Sequence, residues 1–232
     1  MRTGTEFPIR TFRHFIALAL ACCLIGVAHA DSYEDSLSSA RLGDTRQLVN
    51  LLNRGIDPNT VDDQGNTLLM LAVRDGHVRT VEAILQYRPN VAHRNIHGDS
   101  ALMVAALRGD VAMAEMLLAG GAELDHEGWT PLMYAAFEGH AELVDRFIEL
   151  GANVNAEAPN GGDALMFAAR NGHIQVVRRL LTTDVDLDRQ NDRGFTAETW
   201  ALSNANTDIA DLINRERARR GGRPSTLTIE IE

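Results

Sequence analysis

Residues 64–77, Gln64-Gly-Asn-Thr-Leu-Leu-Met-Leu-Ala-Val-Arg-Asp-Gly-His77, carry the pattern that decides the fold. The same pattern returns as Gly98-Asp-Ser-Ala-Leu-Met-Val-Ala-Ala-Leu-Arg-Gly-Asp110 and as Gly128-Trp-Thr-Pro-Leu-Met-Tyr-Ala-Ala-Phe-Glu-Gly-His140. A fourth copy is Gly161-Gly-Asp-Ala-Leu-Met-Phe-Ala-Ala-Arg-Asn-Gly-His173. The closing glycines, Gly76, Gly109, Gly139 and Gly172, lie 33, 30 and 33 residues apart. Self-similarity at this period marks a repeat architecture, in which no unit can bury its apolar faces alone and the units must stack.

Each residue of the pattern has a local task. Thr67 can cap a first helix, its hydroxyl accepting a backbone N–H that would otherwise be unpaired. Pro131 suits the first helical position, where no N–H is needed. Ala72, Ala105, Ala135 and Ala168 keep one face thin, so a neighbouring helix can approach. Gly76 and its counterparts are expected to end that helix with a positive φ. A second helix follows, with apolar Val78, Val81, Ile84 and Leu85 at helical spacing. Gly121-Ala-Glu-Leu-Asp125 and Gly151-Ala-Asn-Val-Asn155 then lead into projecting loops.

The period and the internal pattern resemble the ankyrin repeat, with Thr130-Pro-Leu-Met and Gly139-His140 nearest to that family's T-P-L-H and G-H signatures. The resemblance covers roughly residues 34–215. It implies an all-α ankyrin-repeat solenoid: stacked helix-turn-helix units with projecting β-hairpin loops, about six repeats including two caps. Residues 37–52 read as a degenerate first unit, with Gly43 33 residues before Gly76 and Ser39 where later repeats have Ala. Residues 194–213 read as the C-terminal cap, with Glu198 where the others have Leu.

Outside the repeats, residues 1–14 hold Arg2, Arg10 and Arg13 against the single acid Glu6, and an apolar run of 13 spans Phe15 to Val27. With Ala28-His-Ala30 after it, this reads as a secretory signal peptide cleaved after Ala30. The run is short of the ~20 residues a transmembrane helix needs. The expected divisions are a signal peptide at 1–30, a repeat domain at 31–215 and a basic, strand-like tail at 216–232. Cys22 and Cys23, the only cysteines, read as ordinary apolar residues of the signal, with lipid attachment at one of them left as an alternative. Cleavage leaves 202 residues without cysteine, hence without disulfide or thiol nucleophile. The tail segment Thr226 to Glu232 alternates apolar and polar residues, as a frayed end or as a strand offered to a partner's sheet edge.

The formal charge is −10, and −12 once residues 1–30 are removed. A chain this acidic is a poor ligand for nucleic acid and is repelled by an anionic membrane surface. No catalytic grouping emerges: G-x-S-x-G, H-E-x-x-H and a phosphate-cradling loop are all missing from the sequence. Acidic pairs such as Asp62-Asp63 fall in solvated loops. His77, His140 and His173 share one column, but helices stacked about 10 Å apart cannot bring rings to one metal at about 2 Å. His93 and His97 have helix-like ligand spacing without a further ligand nearby. Met70, Met103, Met133 and Met166 stand where the family has His and are read as packing residues. No metal and no cofactor is expected.

What remains is surface. The family's partners bind the loop tips and the exposed side of the first helices, and the resemblance carries that role here to Asp63, Asn66, Ile96, His97, Asp99, Leu107, His126, Glu127, Trp129, Phe137, Asn160 and Phe195. The wider columns include Arg74, Arg108, Glu138, Arg170 and Arg193. Trp129 and Phe137 are aromatic anchors of the kind that dominate interfaces, and Trp129 can alternatively pack on its own hairpin. Only 7 residues separate Gly121 from Gly128, against 10 from Gly55 to Gly65 and from Gly151 to Gly161, so a notch is expected beside these rings. The expected function is a non-enzymatic, monomeric, periplasmic protein–protein interaction module, an ankyrin-repeat adaptor or scaffold with a place in stress defence, whose partner carries a basic patch. The alternative is an immunity or inhibitor protein neutralising a toxin or enzyme; a metal-binding or enzymatic protein ranks below both.

Overall fold

A computed structural model describes residues 32–222. The signal-peptide reading, the two cysteines and the strand-like segment at 226–232 lie outside the described residues. The helices come in pairs. The first pair is α1 (32–42) with α2 (Thr45–Asn53). It is followed by α3 (Leu68–Arg74) with α4 (Val78–Leu85), and by α5 (Ala101–Arg108) with α6 (Val111–Ala119). Then come α7 (Pro131–Glu138) with α8 (Ala141–Glu149), α9 (Ala164–Arg170) with α10 (Ile174–Leu180), and α11 (Ala197–Ser203) with α12 (Thr207–Arg219). The first helices α3, α5, α7, α9 and α11 pack successively in one row, each also lying against its own second helix where the pair is tightest. This is the all-α repeat solenoid that the pattern implies, with six helix pairs among the described residues.

The repeated residues do the work assigned to them. Thr67, Ser100, Thr130, Asp163 and Thr196 each accept the backbone N–H three residues on, at 2.8–3.3 Å. Pro131 opens α7. Ala72, Ala105, Ala135 and Ala168 are completely buried where successive first helices meet. The four methionines are equally buried, at 1–2 % exposure, so they fill the space between helices. One also accepts a weak bond, from the Ser100 N–H to the Met103 sulfur at 3.2 Å.

The histidine column proves to be a latch between repeats. His77, His140 and His173 begin second helices without capping them. Their Nε2 atoms instead bond the carbonyls of Arg41, Leu107 and Phe137 in the preceding unit, at 2.8, 3.1 and 2.8 Å. Each ring rests on the preceding turn glycine. A Cβ on Gly139 (φ 83°) would come within 2.5 Å of the His173 ring, so glycine is required there for space as well as for backbone conformation. Where Asp110 replaces His, it caps α6 itself (3.0 Å to the Met113 N–H). Arg108 then covers Gly76 and donates to the Arg74 carbonyl at 2.7 Å.

Three features differ from the sequence reading. Val78 is 39 % exposed, because the buried stripe of α4 is centred on Thr80, Val81 and Ile84, and Val78 lies on its flank. The loops project and keep a hairpin course, but among the described residues the only β-bridge is Val61 with Thr67. Side chains replace a ladder: Asp62, Asn95 and Asn191 each accept two backbone N–H groups from their own turn at 2.8–3.1 Å. Finally, α12 continues to Arg219, past the Arg215 at which the repeat pattern stops. Arg217 explains both this and Glu198. The two form a buried ion pair, and Arg217 also donates to Asp188 (2.8 Å) and to the Leu187 carbonyl (2.9 Å). Arg220 just beyond donates to the carbonyls of Leu181, Thr183 and Val185. Among the described residues no helix is long and apolar enough to cross a membrane.

Candidate protein-binding face

Three columns of side chains run down the loop side of the first helices. The residue between the turn glycine and the helix cap is Asn66, Asp99, Trp129, Gly162 and Phe195 in turn. The residue after each methionine, or after Thr199 in the last unit, is Leu71, Val104, Tyr134, Phe167 and Trp200. Three positions further on stand Arg74, Leu107, Phe137, Arg170 and Ser203. Since the repeats are in register, residues about 33 apart become neighbours, and from the fourth unit onward those neighbours are aromatic.

The rings make a continuous ladder. Trp129 stacks on Phe167 with centroids 4.5 Å apart and planes at 13°. Tyr134 lies 5.0 Å and Phe137 6.1 Å from Trp129. Phe167 continues to Trp200 at 6.1 Å, and Trp200 stacks on Phe195 at 6.2 Å. Gly162 makes this possible, because a Cβ there would come within 3.0 Å of the Phe167 ring. Arg170 closes the series with its guanidinium 5.1 Å from the centre of the Trp200 ring. Phe167 and Trp200 are buried, at 1 % and 8 % exposure, while Trp129, Tyr134, Phe137 and Phe195 are half-buried.

The sequence-derived candidates divide accordingly. Trp129, Phe137 and Phe195 are brought together through Phe167 and Trp200, so Trp129 packs largely into its own protein. Asp99 joins them by accepting the Tyr134 hydroxyl at 2.6 Å. Burial, and then the Asp99 carboxylate, push the Tyr134 phenol well above its ordinary value. Asn66 is tied to Asp62 and accepts from the Asn95 amide at 2.9 Å. Ile96 (66 % exposed), Leu107 (41 %), Asp63, His97, Glu127 and Asn160 face solvent. His126 lies against Arg94, which also donates to the Glu127 carbonyl at 3.3 Å; burial above all, and Arg94 less, hold this imidazole below its ordinary pKa. Tyr134, Phe167 and Trp200 were not among the candidates. Reading down the column after methionine, rather than along the chain, would have found them.

The short loop is distinctive. Helices α6 and α8 have 9 residues each, so the three-residue deficit falls between them and the next cap. Neighbouring tips are cross-bonded elsewhere, Ile96 N–H to the Gln64 carbonyl at 3.1 Å and Asp192 N–H to the Asn160 carbonyl at 3.0 Å. In the short loop Asp125, four residues after Gly121 as Asn59 and Asn155 are after Gly55 and Gly151, accepts the Asn153 N–H of the next unit at 3.0 Å, as those two residues do in theirs. Charge is concentrated around it. Residues 109–169 hold eleven carboxylates and one basic residue, Arg146, which accounts for the entire formal charge of −10. Glu115, Asp145 and Glu157 are paired with Arg146, Arg179 and Arg189. Among the described residues Glu123, Glu127, Glu138 and Glu142 enter no ion pair.

No group of three His, Cys, Asp or Glu side chains among the described residues could hold an ion. His93 bonds the Gly65 carbonyl at 2.9 Å instead.

Helix pairs of fixed period, capped first helices, glycine turns and a latching histidine are together the ankyrin unit, and the family's model of ankyrin repeats matches in three overlapping copies at residues 37–127, 90–158 and 132–219. The chain belongs to the ankyrin-repeat family. Ankyrin repeats imply protein–protein interaction. Among curated relatives of this ankyrin chain, ankyrin repeat and SAM domain-containing protein 6 of Mus musculus is 32% identical over 113 residues, 46% of this chain and 13% of that protein. A putative ankyrin repeat protein of Rickettsia bellii is 30% identical over 119 residues, 47% of this chain and 34% of that protein. The matches thus span only a minor part of those relatives' lengths. Among solved structures, the complex of the predatory endopeptidase Bd0816 with immunity protein Bd3460 from Bdellovibrio bacteriovorus contains a similar ankyrin chain, the immunity protein. It superposes with a TM-score of 0.70 at 28% identity, over 78% of this chain and 97% of that one.

Proposed function

We propose that this is an exported, monomeric ankyrin-repeat protein that binds one other protein across its loop tips and first helices, and blocks that partner's activity as an immunity protein does. The observation that carries this reading is the superposition over 97% of the immunity protein's chain, so the likeness is not confined to a few repeats. A surface made in advance of binding, as the aromatic ladder is, loses little entropy on association. The unpaired Glu123, Glu127, Glu138 and Glu142 favour a partner with a basic patch. The Arg2-to-Ala30 pattern supports a periplasmic location. No catalysis, metal or cofactor is assigned to the chain.

The test is to tag the full-length gene product in its own cell. N-terminal sequencing of the exported form should begin at Asp31. Proteins recovered with it should include one enzyme whose activity falls in proportion to added ankyrin chain and vanishes near equimolar ratio. A partner that is captured yet remains fully active would replace inhibition with the adaptor or scaffold reading.

A further inference from the structure

A depression of about 330 Å³ lies at the C-terminal end of this face, bounded by the loop tips Asn160, Asp192 and Arg193, by Asn191, and by Arg170 and Trp200 on the first helices. Among the described residues neither Arg170 nor Arg193 enters an ion pair, although the chain is strongly acidic. Both are exposed; the side chain of Arg170 and the backbone of Arg193 are held from behind. The guanidinium of Arg170 lies over the Trp200 ring, whose own place is fixed by Phe167 and Phe195. The carbonyl of Arg170 accepts from the Asn206 amide at 2.8 Å, which fixes the end of α9. The backbone N–H of Arg193 is bonded to the Asn191 side chain at 3.0 Å.

A guanidinium over a ring, with no ion pair of its own, has N–H groups to offer, and these match a carboxylate in a planar, two-pronged fit. Two cations that enter no ion pair among the described residues line one depression with an indole and a single carboxylate, Asp192, which leaves the lining net positive. Asp192 on the rim turns its Oδ1 toward Gly161, and its charge opposes entry of a second carboxylate. We propose that this depression receives a single carboxylate side chain, Asp or Glu, of the protein partner, held between Arg170 and Arg193 over Trp200. The proposal rests on this face being the binding face. It also adds a demand of opposite sign to the acidic middle: the partner presents a basic patch to residues 109–169 and one acidic residue about a repeat further along.

The probe is acetyl-Gly-Glu-Gly-amide, titrated into the protein while ¹H–¹⁵N spectra follow the indole N–H groups of Trp129 and Trp200. No natural partner is needed, so failure here is distinct from failure of the inhibitor reading. The Trp200 signal should shift saturably, with Trp129 unmoved. The glutamine analogue should bind about tenfold more weakly, as expected for loss of a charged hydrogen bond. Arg193→Gln, on an exposed loop tip, should remove the effect without altering the fold, and Arg170→Lys should weaken it by removing the planar fork. Equal shifts with the two peptides, or an unchanged titration in Arg193→Gln, would overturn the proposal. So would inorganic phosphate displacing the glutamate peptide at lower concentration than the peptide itself requires, which would mark a phosphate site.

Discussion

Asp163 stands where four other repeats use a hydroxyl, and the exchange has a measurable consequence. One of its oxygens caps α9 at 2.8 Å from the Met166 N–H. The other has only the Arg189 Nε at 3.4 Å, outside hydrogen-bonding geometry for either atom. Burial therefore dominates over the cap bond and Arg189, and raises the carboxyl to about 6 from 3.8. A folded-state value above the unfolded one means that the folded protein holds this proton more tightly. The associated stability is complete below about pH 4 and is lost as pH rises through about 6, at most about 3 kcal/mol by linkage. Asn is a good cap without the charge. Asp163→Asn should match the parent near pH 4 and exceed it by up to about 3 kcal/mol at pH 7.5 in urea unfolding. A gap that stays constant across this range would mean that Arg189 keeps Asp163 ionised throughout.

At the scale of elements, the last unit shows how a solenoid ends. In internal repeats the position of Glu198 is an apolar leucine; here α12 overhangs it and supplies Arg217, itself 6 % exposed. A buried ion pair with every guanidinium nitrogen bonded is costly to break and cheap to replace. Arg217→Ala should destabilise by about 3–5 kcal/mol, leaving Glu198 buried and short of its main cation. The double change Glu198→Leu with Arg217→Met should recover most of that loss in thermal unfolding. If the double variant is as unstable as the single one, the bonds from Arg217 to Asp188 and Leu187 hold the cap, and the pair does not. This cap also marks where the sequence is legible and where it is not. Thr67, Pro131 and Gly76 act within their own repeat, so their roles can be read along the chain, and the recurrence of the small alanines marks the face on which a neighbouring repeat packs. The register of 33 residues then places the helices. The half-exposure of Trp129, the lodging of Arg108 over Gly76, and the run of α12 to Arg219 depend on side chains one repeat away. Trp129 reads from sequence as an exposed anchor because Gly162, whose missing side chain admits the Phe167 ring against it, lies 33 residues further on.

For the whole molecule the decisive quantity is where charge sits, and not how much there is. The segments before Gly109 and after Ala169 are each balanced, so the field of the protein comes from its middle third. That stretch contains the shortened loop, and two of its unpaired acids, Glu127 and Glu138, flank the half-buried Trp129 and Phe137 in sequence. A field localised in this way orients an approaching basic partner before contact, which acts on the association rate more than on dissociation. Exposed charges are screened over about 10 Å at 0.1 M salt. Association with the captured partner should therefore slow by roughly tenfold or more between 0.05 and 0.5 M salt, within the range known for steered encounters. Replacing Glu127 and Glu138 together by Gln should lower the association rate and flatten the salt dependence. The same number of neutralisations on second helices in the balanced flanks, Glu82→Gln with Asp208→Asn, should leave both as they were. Because these carboxylates are exposed, the melting temperature serves as the control and should not move. Equal slowing by the two pairs would mean that only net charge matters; faster dissociation with an unchanged association rate would place Glu127 and Glu138 in direct contact with the partner.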